Sequence, residues 1–154
     1  MSNAAPNGLT SGRLCQIAFV VDDIVKASKQ WATALGVEVP PWHITDSLDK
    51  ANTRYNGQPT PARAKLAFFR AGAIDIELIE PIDAPSTWRD GLNDGGYSLH
   101  HVAFGFENSD AAEKHLVAQG MKVVQTGDFT GGRYVYIDAR QHLGTVIELL
   151  AKRP

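Results

Sequence analysis

The chain repeats itself, and that repeat limits the available folds more than any other feature. Leu14-Cys15-Gln16-Ile17-Ala18-Phe19 aligns with Leu99-His100-His101-Val102-Ala103-Phe104, with leucine, alanine and phenylalanine coinciding and an aliphatic after the third residue of each. Both segments alternate between apolar and other residues, which predicts strands. A helix pattern follows each. In the first, Asp22 or Asp23 can cap, Ile24, Ala27, Trp31 and Leu35 form an apolar stripe, and Gly36 stops the helix. In the second, Asn108, Ser109 or Asp110 can cap, with Glu113 completing a capping box, Leu116 and Val117 facing inward, and Gly120 as the stop. Short strands are expected around Val37 to Val39 and Lys122 to Gln125. Hairpins follow: Ala64 to Phe69, a turn at Gly72, then Ala73 to Glu80; and Arg133 to Asp138, a turn through Gly144, then Thr145 to Leu150. The closing strands share Ile-Glu-Leu-aliphatic, Ile76-Glu77-Leu78-Ile79 and Ile147-Glu148-Leu149-Leu150.

Strand-helix-strand-strand-strand, given twice, defines an α+β chain of two βαβββ modules. The halves run over 13–81 and 98–151, joined by a linker at 82–97 rich in Pro, Gly and Asp. At 154 residues the chain suits one domain, read as 13–154 behind a disordered tail at 1–12. That tail has neither the apolar core nor the cleavage pattern of a signal peptide. A formal net charge of −2 with scattered basic residues argues against nucleic acid, and no apolar run approaches a membrane span. The only cysteine, Cys15, allows no internal disulfide and suits a reducing cytoplasm.

Side chains alternate across a strand, so Gln16 shares a face with Ala18 and Val20, and His101 with Ala103 and Gly105. These small companions fit strands that line a cavity. Glu77 lies with Asp75 and Ile79, and Glu148 with Val146 and Leu150. The opposite faces carry Phe19, Phe104, Ile76, Leu78, Ile147 and Leu149, large enough to pack on the helices. Pseudo-twofold pairing would bring Gln16, Glu77, His101 and Glu148 together. Two carboxylates facing one cavity are costly unless one holds a proton or a cation sits between them. A divalent metal removes that cost, and all four are acceptable ligands. The repeat places His101 opposite Gln16, and alternation turns Cys15 and His100 to the other face.

These segments resemble the vicinal oxygen chelate superfamily, which includes glyoxalase I, methylmalonyl-CoA epimerase, extradiol dioxygenases and antibiotic-sequestering proteins. The resemblance runs from Leu14 to Leu150. It implies one curved, half-open mixed sheet around one divalent metal (Co, Ni, Mn, Zn or Mg) held by Gln16, Glu77, His101 and Glu148, and a homodimer. The first ligand position is often histidine in that superfamily. Here it is Gln16, as in some glyoxalase I enzymes. Ile76-Glu77-Leu78-Ile79-Glu80-Pro81 and Leu99-His100-His101-Val102-Ala103-Phe104 are similar to the methylmalonyl-CoA epimerase branch, which implies a CoA thioester substrate.

One histidine with two carboxylates disfavours the two-histidine iron chemistry of oxygenases. It suits moving a proton next to a carbonyl, with Glu148 and Glu77 as ligands of base character. Three readings follow: an isomerase or epimerase, a glyoxalase I-type lyase, and a metal-free small-molecule-sequestering protein. Glutathione-using members often carry a basic residue just after the first strand; Val20-Val21-Asp22-Asp23 stands there instead. The segment Trp42 to Ala62, with His43, Arg54 and Tyr55, reads as a lid or a plain connection. Arg63, Lys65, Arg133 and Arg140 are candidates for an anionic substrate, and Trp88 for covering one edge of the site.

Overall fold

The two segments that align in sequence lie side by side at the centre of the sheet. In the computed structural model, which describes residues 7–92 and 97–152, β1 (Arg13–Val21) pairs antiparallel with β7 (Tyr97–Phe106). Each is flanked by the closing strand of its own half, running parallel. β6 (Ile74–Ile82) lies beside β1, and β10 (Thr145–Lys152) beside β7. Outward from these stand β5 (Arg63–Ala71) and then β2 (Trp42–Ile44) in the first half, and β9 (Gly132–Ala139) and then β8 (Lys122–Phe129) in the second. The order β2-β5-β6-β1-β7-β10-β9-β8 is symmetric about the β1–β7 seam, as two βαβββ modules require.

Alternation along these strands separates two kinds of interior. On the convex side of the first half, Leu78 and Phe69 are buried with Ile24, Ala27 and Ala32 of α1 (Ile24–Leu35), and Phe19, Trp31 and Ile76 pack against them. In the second half Leu149, Ile147, Val135 and Ile137 are buried with Ala112 and Leu116 of α4 (Asp110–Ala118), with Phe104 beside them. The concave side holds a third cluster that includes Ala18, Val20, Ile79, Trp88 and Tyr136. The large residues expected to face the helices do so.

Local details depart from expectation. Asp23 caps α1, accepting from the Lys26 N–H at 3.0 Å, and Gly36 ends the helix with φ 70. Leu35, expected on the apolar stripe, is exposed, and Ser28 and Ala32 are buried instead. For α4, Asn108 accepts from the Asp110 N–H at 2.8 Å, Ser109 makes no side-chain cap bond, and Val117 is exposed. Val37–Val39 is not a strand; the strand comes later, at Trp42–Ile44, where pairing with Lys65–Ala67 of β5 becomes available. Of the tail at 1–12, Leu9–Ser11 form a 3-10 turn, with Leu9 packed on the second-half core. Residues 1–6 lie outside the described residues.

Two segments expected to be connections are built structure. After β2, the chain forms α2 (Leu48–Ala51), β3 (Arg54–Tyr55) and β4 (Gln58–Pro59), and β3 pairs with Thr126 and Gln125 of β8. The first half thus crosses over and joins the far edge of the second. The Thr60 hydroxyl donates to the Pro85 carbonyl at 2.7 Å, and Thr53 and Thr60 are buried. This is a fastened wall and not a loose lid. In the linker, Ser86 caps α3 (Thr87–Gly91) by accepting from the Arg89 N–H at 3.0 Å, and Ser86, Thr87 and Trp88 are buried. The rest of the linker, at 93–96, lies outside the described residues. Among the described residues, no helix is long and apolar enough to cross a membrane.

Candidate metal centre

Symmetric register brings the four predicted side chains together. Ala18 of β1 pairs with Glu77 of β6, and Ala103 of β7 pairs with Glu148 of β10, so each glutamate stands beside an alanine that leaves it room. Across the seam Ala18 pairs with His101 and Gln16 with Ala103. Gln16, Glu77, His101 and Glu148 are all buried. His101 Nε2 lies 2.9 Å from a Glu148 carboxylate oxygen and 3.5 Å from one of Glu77. Gln16 Oε1 lies 3.0 Å from the same nitrogen, and turning the amide over instead lets its NH2 donate to both carboxylates at 3.0–3.1 Å. Glu77, His101 and Glu148 each bring a ligand atom within 4.8 Å of the others.

Electrostatics explain what such a centre needs. Burial, the Glu148 charge and the Asp75 charge raise the Glu77 pKa well above the carboxylate range. Burial pushes Glu148 up to about 8, against a lowering hydrogen bond from Tyr136. Burial also holds His101 down to about 3. The 2.9 Å His101–Glu148 contact therefore does not amount to an ion pair, because both groups are driven toward their neutral forms. Two carboxylates, an imidazole nitrogen and an amide oxygen form a set of acceptors that calls for protons or a cation. A divalent ion fits this donor set, with one nitrogen and three oxygens.

The centre sits at the floor of a cavity of about 500 Å³ inside the curled sheet. Gln16, Glu77 and Glu148 face it, and Leu66, Phe68, Trp88, Tyr134 and Leu150 make its walls. His43, Ala51 and Thr53 of the crossing segment close one side. Among the described residues that line it there is no lysine or arginine. Arg63 donates to the Thr45 carbonyl at 2.8 Å, Lys65 pairs with Glu80 at 2.9 Å, and Arg140 pairs with Asp138 at 2.7 Å. These three, and Arg133, do not reach the cavity.

Sequence reasoning missed Tyr136 and misplaced His100. Tyr136 is the direct cross-strand partner of Glu148 on β9, and its hydroxyl accepts from Trp88 Nε1 at 3.0 Å while bonding Glu148. Trp88 therefore reaches the centre from the linker helix, through Tyr136. His100 was expected on the face away from His101. The β1–β7 register instead passes from Ala18–His101 to Phe19–Leu99, leaving His100 as the extra residue of a β-bulge, which breaks the alternation. His100 is buried with its Nδ1 2.8 Å from His101 Nδ1. The repeat carries the same irregularity at Cys15, skipped between Leu14–Phe104 and Gln16–Ala103; its half-buried thiol approaches the Ala103 carbonyl at 3.5 Å.

Known proteins share this architecture. Methylmalonyl-CoA epimerase from Mycobacterium tuberculosis superposes with a TM-score of 0.66, covering 99% of this chain and 95% of that one at 22% identity. A variant of Streptomyces coelicolor methylmalonyl-CoA epimerase, in complex with 2-nitronate-propionyl-CoA, superposes with a TM-score of 0.64, covering 93% and 99% at 19% identity. At such identities the likeness shows the fold. In sequence, the uncharacterized protein YqjC of Bacillus subtilis (strain 168) is 32% identical over 93 residues, 56% of this chain; the match spans 64% of that relative's length. The family model of the glyoxalase/bleomycin resistance protein/dioxygenase superfamily matches residues 15–137. Duplicated halves, a β1–β7 seam and that match agree: the chain belongs to the glyoxalase/bleomycin resistance protein/dioxygenase superfamily.

Proposed function

We propose that the chain is a divalent-metal-dependent isomerase that moves a proton on the carbon next to a carbonyl, in the manner of methylmalonyl-CoA epimerase and with an acyl-CoA thioester as substrate. The observation that carries this reading is the convergence of Glu77 and Glu148, one from each half, on one histidine nitrogen at a cavity floor. Gln16, Glu77, His101 and Glu148 would hold the ion, which when bound supplies Lewis-acid polarisation of the substrate carbonyl oxygen. Glu148, a carboxylate facing the cavity, would take the proton from the carbon next to the carbonyl. Tyr136, held by Trp88, fixes its orientation. Glu77 is the second proton carrier. A proton taken by one carboxylate and returned to the same carbon from the other inverts the centre; returned to the neighbouring carbon, it completes a 1,2-shift. Phe68, Leu66 and Leu150 exclude water from the reacting carbon. With no lysine or arginine in the wall, a substrate carboxylate would be neutralised at the centre, and the distal phosphates of a CoA ester would stay outside.

Epimerases with bound CoA compounds among the solved structures support the thioester assignment. Gln16 in the first ligand position favours a second reading, a glyoxalase I-type lyase. Glu77→Gln and Glu148→Gln, each assayed in deuterated buffer for exchange of the methylmalonyl-CoA α-proton, test the first. Each variant is expected to lose about 10²–10⁴-fold. Exchange at the parent rate in both would refute the assignment. Conversion of the methylglyoxal–glutathione adduct without methylmalonyl-CoA turnover would establish the lyase. The family resemblance adds the expectation of a homodimer, and the single cysteine that of a reducing cytoplasm; a monomer in sedimentation equilibrium would remove the dimer.

A further inference from the structure

The β-bulge at His100 puts two histidine rings into one buried wall, where alternation would have separated them. Their Nδ1 atoms are 2.8 Å apart, and the rings meet edge to face with centroids at 5.1 Å. Tyr136 packs on both, at 5.1 Å from His100 and 5.0 Å from His101. Gly91 of α3 makes room behind: a Cβ there would stand 3.0 Å from His100 Cδ2. The His100 ring is thus confined by three elements, with one nitrogen committed to His101.

Two buried neutral imidazoles in Nδ1-to-Nδ1 contact must divide the roles, one donating and the other accepting. The side of His101 that faces the centre decides which. Turned over, the Gln16 amide donates to His101 Nε2 at 3.0 Å as well as to both carboxylates, which makes that nitrogen an acceptor with a bare lone pair. Neutral His101 must then carry its proton on Nδ1, aimed at His100 Nδ1 2.8 Å away, and His100 accepts it and keeps its own proton on Nε2. The opposite arrangement would place an N–H at the centre and block ligation.

We propose that His100 is a positioning residue for the metal centre: it accepts a hydrogen bond from His101 Nδ1–H and so fixes the tautomer in which His101 Nε2 is free to bind a cation. This rests on reading Gln16, Glu77, His101 and Glu148 as the ligand set. Outer partners of this kind are worth about 10–100-fold in metal affinity. The bulge has a purpose on this account, since without it His100 could not reach His101 from the adjacent position.

Two measurements test it. The first is long-range ¹H–¹⁵N correlation on histidine-labelled protein, metal-free and loaded with Zn²⁺. It is expected to show Nδ1–H on His101 and Nε2–H on His100 in both. A proton on His100 Nδ1 in both forms would overturn the proposal. The second is Zn²⁺ affinity by chelator competition. His100→Asn keeps an acceptor near His101 Nδ1 and should stay within about threefold of the parent, whereas His100→Leu should weaken binding about 10–100-fold. A folded His100→Leu variant with parent affinity would overturn the proposal. If His100→Leu does not fold, the tautomers of the parent protein decide. If the parent takes no metal, the ligand set itself falls, while the metal-free spectrum still decides the His100–His101 bond.

Discussion

Removing the metal should make the protein less stable as pH rises from 6.5 to 8, which is unusual for a protein rich in carboxylates. Glu148 is held up to about 8 from 4.5, and Glu77 is raised as well, both first by burial. A group whose pKa is raised in the folded state contributes stability that is complete below its unfolded pKa. That stability is lost as pH climbs through the folded value. The Glu148 proton alone gives a slope of about 1.4 kcal/mol per pH unit, hence a loss of about 2 kcal/mol over this interval. His100 and His101 act oppositely. Both are lowered to about 3, first by burial, so their contribution is complete above the usual 6.5 and lost as pH falls below it. The two pairs offset one another between about pH 4.5 and 6.5, so stability should be highest across that range and fall above it. The assay is urea unfolding in EDTA at half-unit steps, repeated for Glu148→Gln, whose neutral amide should flatten the alkaline side. Saturating divalent metal should restore most of the loss, because the ion replaces the protons. A flat or rising metal-free profile between pH 6.5 and 8 would refute the assignment of buried, uncompensated carboxylates.

Other consequences are local. Trp88→Phe removes the donor to the Tyr136 hydroxyl and should cost about 1–2 kcal/mol in thermal or urea unfolding. It should also weaken metal binding, since Tyr136 bonds Glu148. Ala103→Val adds methyl groups at a fully buried position beside Glu148 and should destabilise by about 1–3 kcal/mol. An unchanged melting temperature would mean that the alanine is not the space-maker inferred. Tyr136→Phe should raise the metal-free Glu148 pKa further, read by carboxyl ¹³C shifts, because the lowering hydrogen bond is lost.

Much of this architecture was legible because duplication is a sequence property. The matched Leu14–Phe19 and Leu99–Phe104 segments gave the seam, and the repeated Ile-Glu-Leu gave the strands that flank it. Period-two alternation then placed Gln16, Glu77, His101 and Glu148 on the concave face. Alternation fails where a bulge inserts a residue, and nothing in the letters marks His100 as that residue. The Trp42–Ile44 strand was misplaced because its edge pairing is set by β5 and not by its own pattern. The linker gave no sign of the helix that Ser86 caps, because its insertion into the concave core depends on long-range contacts such as Thr87 N–H to Gln125 at 2.8 Å. Tyr136 could have been found from the hairpin register, which sets it opposite Glu148.

The claim on which the account rests is that this buried set of acceptors binds a divalent cation. Untagged protein, stripped with chelator and dialysed against Zn²⁺, Co²⁺ or Mn²⁺, should retain about one ion per chain by elemental analysis, and a Glu77→Gln, Glu148→Gln double variant should retain little. A parent protein that retains none, or a double variant that retains as much as the parent, would contradict it.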